Sequence, residues 1–110
     1  MAKFRMDVDQ KRYFCTLCSE GSITRAAQSL YLSRQGLSKS MKSLESQLGA
    51  QLFVRGKKGV ELTAAGRILL RYLHEEGRLW DACVADIRSV SQTDSELVRV
   101  GLLSMYVGYS

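Results

Sequence analysis

The sequence predicts a mainly α-helical fold in which three short helices and a small two-stranded hairpin precede one long helix. Three observations predict this fold. Apolar residues recur at helical spacing in three segments before Gly49, two short strand-like runs flank "GKKG", and a long stretch rich in apolar residues starts at residue 64. The length of 110 residues suits one domain with an extension, and a hydrophobic content of 45% is ordinary for a folded chain.

The first two helices are predicted from their caps and their apolar stripes. Asp7 or Asp9 can cap the first helix, and Ser22 can cap the second by accepting a hydrogen bond from a free amide. The inner face of the first helix comprises Tyr13, Phe14, Leu17 and Cys18. The buried stripe of the second comprises Ile23, Ala26, Ala27 and Leu30. Its two alanines would let another helix approach closely.

The third helix is predicted to run from its cap at Ser33 to about Leu48, with Gly49 as a left-handed stop. Its apolar stripe comprises Leu37, Met41, Leu44 and Leu48. Its opposite face carries Arg34, Gln35, Ser38, Lys39 and Lys42. Two helices joined by a short turn, the second with a polar outer face, are typical of a helix-turn-helix.

A hairpin with a cationic tip is predicted next, because Leu52–Arg55 and Val60–Leu62 are strand-like runs around two lysines. The second helix of a helix-turn-helix, here the third helix of the chain, is called the recognition helix. A hairpin that follows it is a wing, so the predicted fold class is a winged helix-turn-helix. The wing would carry Arg55, Lys57 and Lys58. A slender basic loop of this kind suits phosphates or the minor groove of a nucleic acid.

The long helix is predicted to begin after a cap at Thr63 and to extend for about 40 Å. Its apolar residues cover too wide an arc for one small domain to bury, so we expect a homodimer. The predicted seam against the second copy comprises Leu69, Leu73, Trp80, Cys83, Val84 and Ile87. The alternative for the first two turns is packing on the chain's own domain. Gly77 weakens the helix interior and marks a close crossing or a bend.

Three regions follow from this organisation: a helix-turn-helix domain over 1–63, a dimerising linker helix over 64–92, and a hinge with a first strand over 93–110. The strand is predicted for Leu97–Leu103. One strand without a partner makes no sheet. We therefore expect the sequence either to stop just inside a second domain or to be a fragment of a longer chain.

Positive charge is concentrated in the helix-turn-helix and the wing. Residues 22–58 contain seven Lys or Arg and one acid, whereas residues 64–96 contain four and six, in a chain of net charge +5. A concentrated basic face is the footprint of a polyanion-binding protein, and a solvated charged surface is the alternative. No apolar run approaches the roughly 20 residues of a membrane span. The N-terminal residues lack the apolar core of a signal peptide, so we expect a cytoplasmic protein.

The three cysteines do not form a pattern with predicted chemistry. Cys15 and Cys18 form one C-x-x-C, but no second pair follows and His74 is the only histidine, so we expect no metal site. We expect both to be small apolar core residues, with a redox role as the weaker alternative. No partnered base or phosphate-binding glycine loop is present, so we expect no catalytic residue, no enzyme activity and no cofactor.

Four residues near the start of the third helix carry the chemistry of major-groove recognition: Arg34, Gln35, Ser38 and Lys39. Arginine can bond guanine O6 and N7 together, glutamine can bond adenine N6 and N7, and serine or lysine can take a base edge or a phosphate. Gly36 lies among them, where its missing side chain either brings the helix closer to the bases or is tolerated in a first turn. The predicted partner is double-stranded DNA.

The sequence closely resembles the LysR-type transcriptional regulators of bacteria over about Asp7–Val90. The segments that carry the resemblance are "RYF" at 12–14, "EGSITRAAQSL" at 20–30, "LSRQGLSKSMKSLESQLGAQLFVR" at 32–55 and "GVELTAAG" at 59–66. The resemblance implies a DNA-binding domain, a dimerising linker helix and a C-terminal periplasmic-binding-protein-like domain for a small-molecule inducer. It also implies a tetramer for a full-length chain.

The resemblance further implies which residues meet the DNA backbone. These phosphate and wing residues are Ser22, Arg25, Ser33, Lys42, Arg55, Lys57 and Lys58. The chain departs from the family pattern at Arg34 and Gln35, where Gln followed by Pro or Ser is common, and at Lys39, where Arg is common. A typical family operator is therefore not expected. The remaining alternatives are a molybdate-type regulator, which shares much of this signature, and a protein-interaction module with an incidental basic face.

Overall fold

The computed structural model describes residues 6–93, which form four helices and two strands. The elements are α1 (Val8–Glu20), α2 (Ile23–Ser29), α3 (Arg34–Leu48), β1 (Phe53–Gly56), β2 (Gly59–Leu62) and α4 (Ala64–Thr93). The two strands pair antiparallel, with Phe53 opposite Leu62 and Gly56 opposite Gly59. The predicted mainly α, winged helix-turn-helix fold is confirmed. The strand predicted for Leu97–Leu103 lies outside the described residues.

Two compact units divide the chain, with the boundary between Leu73 and His74 within α4. The first unit extends past residue 63, where the sequence placed a domain limit, because the start of α4 packs on the core. Within residues 6–93, none of the helices combines the length and apolar character needed to cross a membrane.

The first three helices begin at the predicted caps. Asp7 accepts from the backbone amide of Gln10 at 2.7 Å, in a capping box that Gln10 completes. Ser22 and Ser33 each accept from the amide three residues later, at 3.3 and 2.9 Å. Gly49 ends α3 in the left-handed conformation with φ 73°. Each of these bonds satisfies backbone groups that a helix end leaves unpaired, so local sequence defines the helix limits.

The core lies where α1, α2 and α3 meet Leu52, the residue that precedes β1 of the hairpin. Its buried apolar residues are Phe14, Leu17, Ala26, Ala27, Leu37, Met41, Leu44 and Leu52. Tyr13, Cys18, Ile23 and Leu30 pack around it and are partly buried, as expected for their stripes. Leu48, the last residue of the predicted apolar stripe of α3, is 38% exposed and lies outside the core. It lies one turn beyond Leu44, at the end of α3 where the chain turns away.

The hairpin is fixed to the helical core by a backbone contact. The Val60 amide donates to the Gly21 carbonyl at 3.0 Å, in the turn between α1 and α2. Gly59 has φ 123°, and a Cβ atom there would lie 2.4 Å from the same carbonyl oxygen. Only glycine permits both this conformation and this approach. The wing is therefore held against the helices by its backbone as well as by side chains.

The first turn of α4 lies against the backbone of Leu52. Thr63 caps this turn by accepting from the Gly66 amide at 3.0 Å, and its hydroxyl donates to the Gln51 carbonyl at 2.6 Å. A Cβ atom on Gly66 would lie 2.3 Å from the Leu52 carbonyl oxygen. The helix approaches the chain so closely because residue 66 lacks a side chain.

The residues of the predicted dimer seam lie in different surroundings. Leu69 and Leu73 pack against the core of their own chain, as in the alternative for the first turns of this helix. In the second unit, Trp80 and Ile87 are 66% and 60% exposed. Cys83 is also exposed, and Val84 is half-buried. Of the predicted seam residues, those open to a second copy therefore lie in the part of α4 after residue 73.

Cys15 and Cys18 are half-buried on α1 and pack against the core. Burial raises the pKa of Cys18 to about 12, and the neighbouring Cys15 adds to the effect. Burial also raises the pKa of Cys15, which Lys11 partly offsets. Both thiols are therefore neutral near pH 7. This agrees with a packing role, and the raised pKa values disfavour the thiolate on which a redox role would depend.

In a chain diluted until it is monomeric, so that no second copy covers α4, we expect the thiol reagent DTNB at pH 8 to modify Cys83 rapidly and the half-buried Cys15 and Cys18 slowly. Cys83 is exposed, whereas the raised pKa of Cys18 leaves little of the reactive thiolate at that pH. Stopped-flow absorbance would resolve the two phases, and Cys83→Ser is the control that should remove the fast one. A fast phase that survives in this variant would show a reactive thiol on α1. The slow phase should accelerate as the pH rises, because the thiolate fraction rises.

We expect Gly66→Ala to lower the free energy of unfolding by about 1–3 kcal/mol, because the added methyl group overlaps the Leu52 carbonyl. Gly77→Ala is the matched control, since a Cβ atom there meets nothing within 4 Å. It should stabilise its helix by about 1 kcal/mol through the higher helix propensity of alanine. Urea titration followed by circular dichroism measures both. Equal effects of the two substitutions would contradict the close approach at Gly66.

Candidate nucleic-acid interface

One face of α3 is buried and the other carries the residues predicted to read bases. Leu37, Met41 and Leu44 point into the core. Arg34, Gln35 and Lys39 are exposed, and Ser38 is half-buried. The helix therefore presents two cationic and two neutral polar side chains within its first two turns, away from the core.

A groove of about 440 Å³ joins the start of α3 to the hairpin. It is lined by Ile23, Ser33, Arg34, Gln35, Ser38 and Arg55. Three of the four predicted base-reading residues therefore share one groove with the arginine of the wing. Lys39 does not line it, although it is exposed on the same helix. The sequence predicted these residues separately, and the fold brings them together across a separation of some twenty positions.

A second groove of about 290 Å³ continues this surface between α3 and the wing. Its polar lining includes Ser38, Lys42 and Arg55, and its apolar lining includes Ile23 and Val60. Ser38 and Arg55 line both grooves, so the two are adjacent. The predicted phosphate residues Lys42 and Arg55 thus lie on one surface with the predicted base readers.

Glu45 is the single acidic residue in segment 22–58, which also contains seven Lys or Arg. It has a structural role that the sequence did not predict. Its carboxylate accepts from the amides of Leu52 at 2.7 Å and Phe53 at 3.3 Å. Hydrogen bonds to a charged group are worth about 1.5–3 kcal/mol each. They tie the start of β1 to the recognition helix and so set the position of the wing. An isolated acid in a basic segment was the only signal in the sequence.

Two serines predicted to meet phosphate serve as helix caps. The Oγ atoms of Ser22 and Ser33 accept from backbone amides, which leaves each hydroxyl proton available to an outside acceptor. A Cβ atom on Gly36 would lie 3.0 Å from Ser33 Oγ. Glycine at position 36 therefore also keeps the cap uncrowded, a reason that the sequence did not suggest.

Arg25, on α2, lines neither groove and contacts the end of the preceding helix. Its Nη2 atom donates to the Glu20 carbonyl at 2.8 Å, and its Nε atom lies 3.7 Å from Glu20 Oε1. Both side chains are solvent-accessible, so the ion pair contributes little to stability. The contact orients the guanidinium and leaves some of its N–H groups free.

The wing tip carries the remaining predicted phosphate residues. Lys57 and Lys58 form the turn between Gly56 and Gly59, and both are exposed. Neither lines the two grooves. Their charges project from the end of the hairpin, beyond Arg55. The surface thus has a polar centre on α3 and a cationic extension at the wing tip.

Metal-binding side chains are not grouped in the described part of the chain. No set of three or more His, Cys, Asp or Glu residues there could hold a metal ion. The chemistry that the described surface offers is hydrogen bonding and positive charge.

Comparison with known sequences places this surface in a family. Residues 8–67 match the family of bacterial regulatory helix-turn-helix proteins known as lysR. The match covers α1, α2, α3, both strands and the first turn of α4.

Two relatives match over the same region and beyond it. The SDS degradation transcriptional activation protein of a Pseudomonas strain is 40% identical over 89 residues, which is 81% of this chain and 28% of the relative. The HTH-type transcriptional regulator BsdA of Bacillus subtilis is 34% identical over 97 residues, which is 87% of this chain and 33% of the relative. The chain therefore spans about a third or less of the length of these relatives.

Solved structures agree with the sequence comparison. The complex of the CbnR DNA-binding domain with DNA matches at a TM-score of 0.64 and 30% identity, covering 78% of this chain and 99% of that one. The complex of the BenM DNA-binding domain with the benA site 1 DNA matches at a TM-score of 0.65 and 30% identity, covering 77% and 99%. By its sequence match and its winged helix-turn-helix fold, the chain belongs to the LysR family of bacterial regulatory proteins.

Proposed function

We propose that this chain is the DNA-binding part of a transcriptional regulator that recognises its operator as a dimer. In this proposal α3 enters the major groove and the wing lies on the adjacent minor groove or backbone. The observation that carries it is the shared groove, which brings Arg34, Gln35 and Ser38 together with Arg55. Two of the similar solved structures are complexes of a DNA-binding domain with DNA, which supports the proposal.

The chemistry of the groove assigns a role to each side chain. Arg34 and Gln35 are the bidentate groups, which suit guanine and adenine respectively. Ser38 and Lys39 take a base edge or a phosphate. Arg55 contacts the DNA backbone from the wing, because a short basic strand can reach along the edge of a DNA groove. Base readers determine sequence, whereas phosphate contacts determine register and contribute a salt-dependent affinity.

The remaining predicted cations neutralise phosphates around this centre. Lys42 extends the surface along α3, and Lys57 and Lys58 extend it at the wing tip. Arg25, oriented by Glu20, serves the edge nearest α2. Each neutralised phosphate releases counterions and steepens the dependence of affinity on salt.

Dimerisation through α4 is the second part of the proposal. Trp80 and Ile87 are large apolar side chains that the described chain leaves exposed. A second copy of the helix would bury them, together with Cys83 and Val84, at the spacing of a coiled-coil seam. Two recognition helices related by a two-fold axis would then read an inverted repeat.

The longer relatives suggest what a complete regulator would add. A C-terminal domain that binds a small-molecule inducer and a tetrameric assembly both belong to this proposal. So does a cytoplasmic location, where bacterial DNA is found. The similar proteins are named as regulators and not as enzymes. An interaction module with an incidental basic face is not favoured, because it gives no reason for polar readers to share a groove with the wing arginine.

The experiment that tests the proposal is selection of bound sequences from a random duplex pool at near-physiological salt. We expect enrichment of an inverted repeat whose half-sites lie about one or two helical turns apart. Arg34→Ala should lose preference at one base pair in each half-site, costing about 1–3 kcal/mol there. Lys57→Ala should weaken all sequences about equally and reduce the salt slope by about one.

Three outcomes would contradict parts of this assignment. No binding would favour the interaction module. Binding without enrichment would remove base reading by α3 from this chain. If Arg34→Ala and Lys57→Ala had the same effect on every sequence, the division into base readers and phosphate contacts would be wrong.

We expect Ile87→Asp to convert the dimer to a monomer, because it places a charge in the apolar seam. Sedimentation velocity over a concentration series measures this. Ala85→Asp is the matched control, since residue 85 lies on the opposite side of the same helix and should leave the dimer intact. Leu73 is unsuitable for this test because it packs on its own core. Dimers of Ile87→Asp as stable as the wild type would place the seam elsewhere.

A further inference from the structure

The turn between α2 and α3 has a tyrosine where a helix end normally requires glycine. The Tyr31 amide donates to the Gln28 carbonyl at 3.2 Å, and the Leu32 amide donates to the Ala27 carbonyl at 2.8 Å. This pair of bonds is the Schellman motif, in which the residue after the cap adopts the left-handed conformation. Tyr31 does so with φ 57°.

Tyr31 bears a backbone cost that the rest of the described chain avoids. Among residues 6–93 it is the one non-glycine residue with positive φ. The left-handed conformation crowds Cβ against the backbone, and Gly or Asn would occupy it more easily. Turn geometry therefore requires the conformation at this position but gives no reason for an aromatic side chain.

The ring of Tyr31 does not compensate for this cost within the described chain. Tyr31 is 95% exposed. Among the described residues, no hydrogen bond or ring contact involves its side chain. An exposed aromatic ring on a strained backbone is a combination that occurs where a side chain binds something outside the fold.

The position of Tyr31 identifies the partner's chemistry. It lies two residues before Ser33, the cap of α3, and three before Arg34, which lines the candidate groove. The surrounding segment 22–58 is strongly basic. A side chain that flanks the start of a recognition helix meets the sugar-phosphate backbone, where tyrosine is one of the neutral donors that position a protein on DNA.

We infer that the Tyr31 hydroxyl donates a hydrogen bond to a DNA phosphate oxygen at the edge of the groove that α3 enters. The inference rests on the proposed DNA-binding function and adds a contact that the basic residues do not supply. A neutral donor displaces no counterion, so Tyr31 strengthens binding without changing its salt dependence. The chain thus accepts a less stable turn and gains a positioned phosphate contact.

The test compares Tyr31→Phe with Tyr31→Gly in the full 110-residue chain. Binding to a random-sequence 30-base-pair duplex pool is followed by fluorescence anisotropy at several salt concentrations, because a phosphate contact needs no particular sequence. Tyr31→Phe should raise Kd about tenfold, as loss of one hydrogen bond to a charged group predicts, with an unchanged Tm and salt slope. Tyr31→Gly should weaken binding at least as much, yet raise Tm by roughly 4 °C as the strain is relieved.

Tyr72→Phe is the matched control, since Tyr72 is also an exposed tyrosine but lies on α4 in helical conformation. It should leave Kd unchanged. If Tyr31→Phe binds like the wild type while Arg34→Ala loses selectivity, the phosphate contact is overturned and the DNA-binding function stands. If the wild type fails to bind the pool at all, the proposed function itself is overturned.

Two further outcomes would overturn the inference on other grounds. A lower Tm for Tyr31→Gly would show that the ring stabilises the free chain, so no cost is offset by binding. A dimer that dissociates in Tyr31→Phe, with DNA affinity otherwise retained, would assign the ring to a protein contact instead.

Discussion

The structure of the first unit depends on the backbone of Leu52, where three elements meet. The amide of Leu52 donates to the Glu45 carboxylate of α3, and its carbonyl accepts from Thr63 at 3.0 Å and contacts Gly66 at the start of α4. Its side chain is 1% exposed in the core. The amide and the carbonyl of Leu52 are therefore both hydrogen-bonded, and its apolar side chain is buried. Because an unpaired buried amide or carbonyl is costly, this arrangement leaves the recognition helix, the wing and the first turn of α4 little freedom relative to Leu52.

This junction explains how a small domain can hold a binding surface in a defined shape. The groove combines residues of α3 with Arg55 of β1, and the Glu45 bonds join those two elements directly. At the other end of the hairpin, Gly59 holds β2 against the turn before α2. The wing is therefore anchored on both strands, while its tip at Lys57 and Lys58 extends outward. In the proposed function, a surface of this kind would meet DNA with little reorganisation, which lowers the entropic cost of binding.

Two features of the structure are unfavourable in a single chain and are suited to a partner. Tyr31 strains a helix end that glycine would relax, and the second unit of α4 exposes Trp80 and Ile87 to water. Neither feature is stabilising in a single chain. In the proposed function, a phosphate or a second copy would make them favourable, so DNA binding, dimerisation and folding would be thermodynamically linked. Substitutions that relieve either feature, such as Tyr31→Gly, would therefore stabilise an isolated chain and weaken its binding.

The sequence by itself determined the helix limits, the order of elements and the residue types of the recognition helix. These depend on contacts between near neighbours, such as the Ser33 cap and the stripe of Leu37, Met41 and Leu44, whose spacing is visible in the chain. Tertiary structure alone decided three further points. Glu45 clamps the wing, Leu48 is exposed, and the seam residues before residue 74 face their own core. Each of these depends on which distant segment lies opposite a side chain, and local spacing carries no information about that.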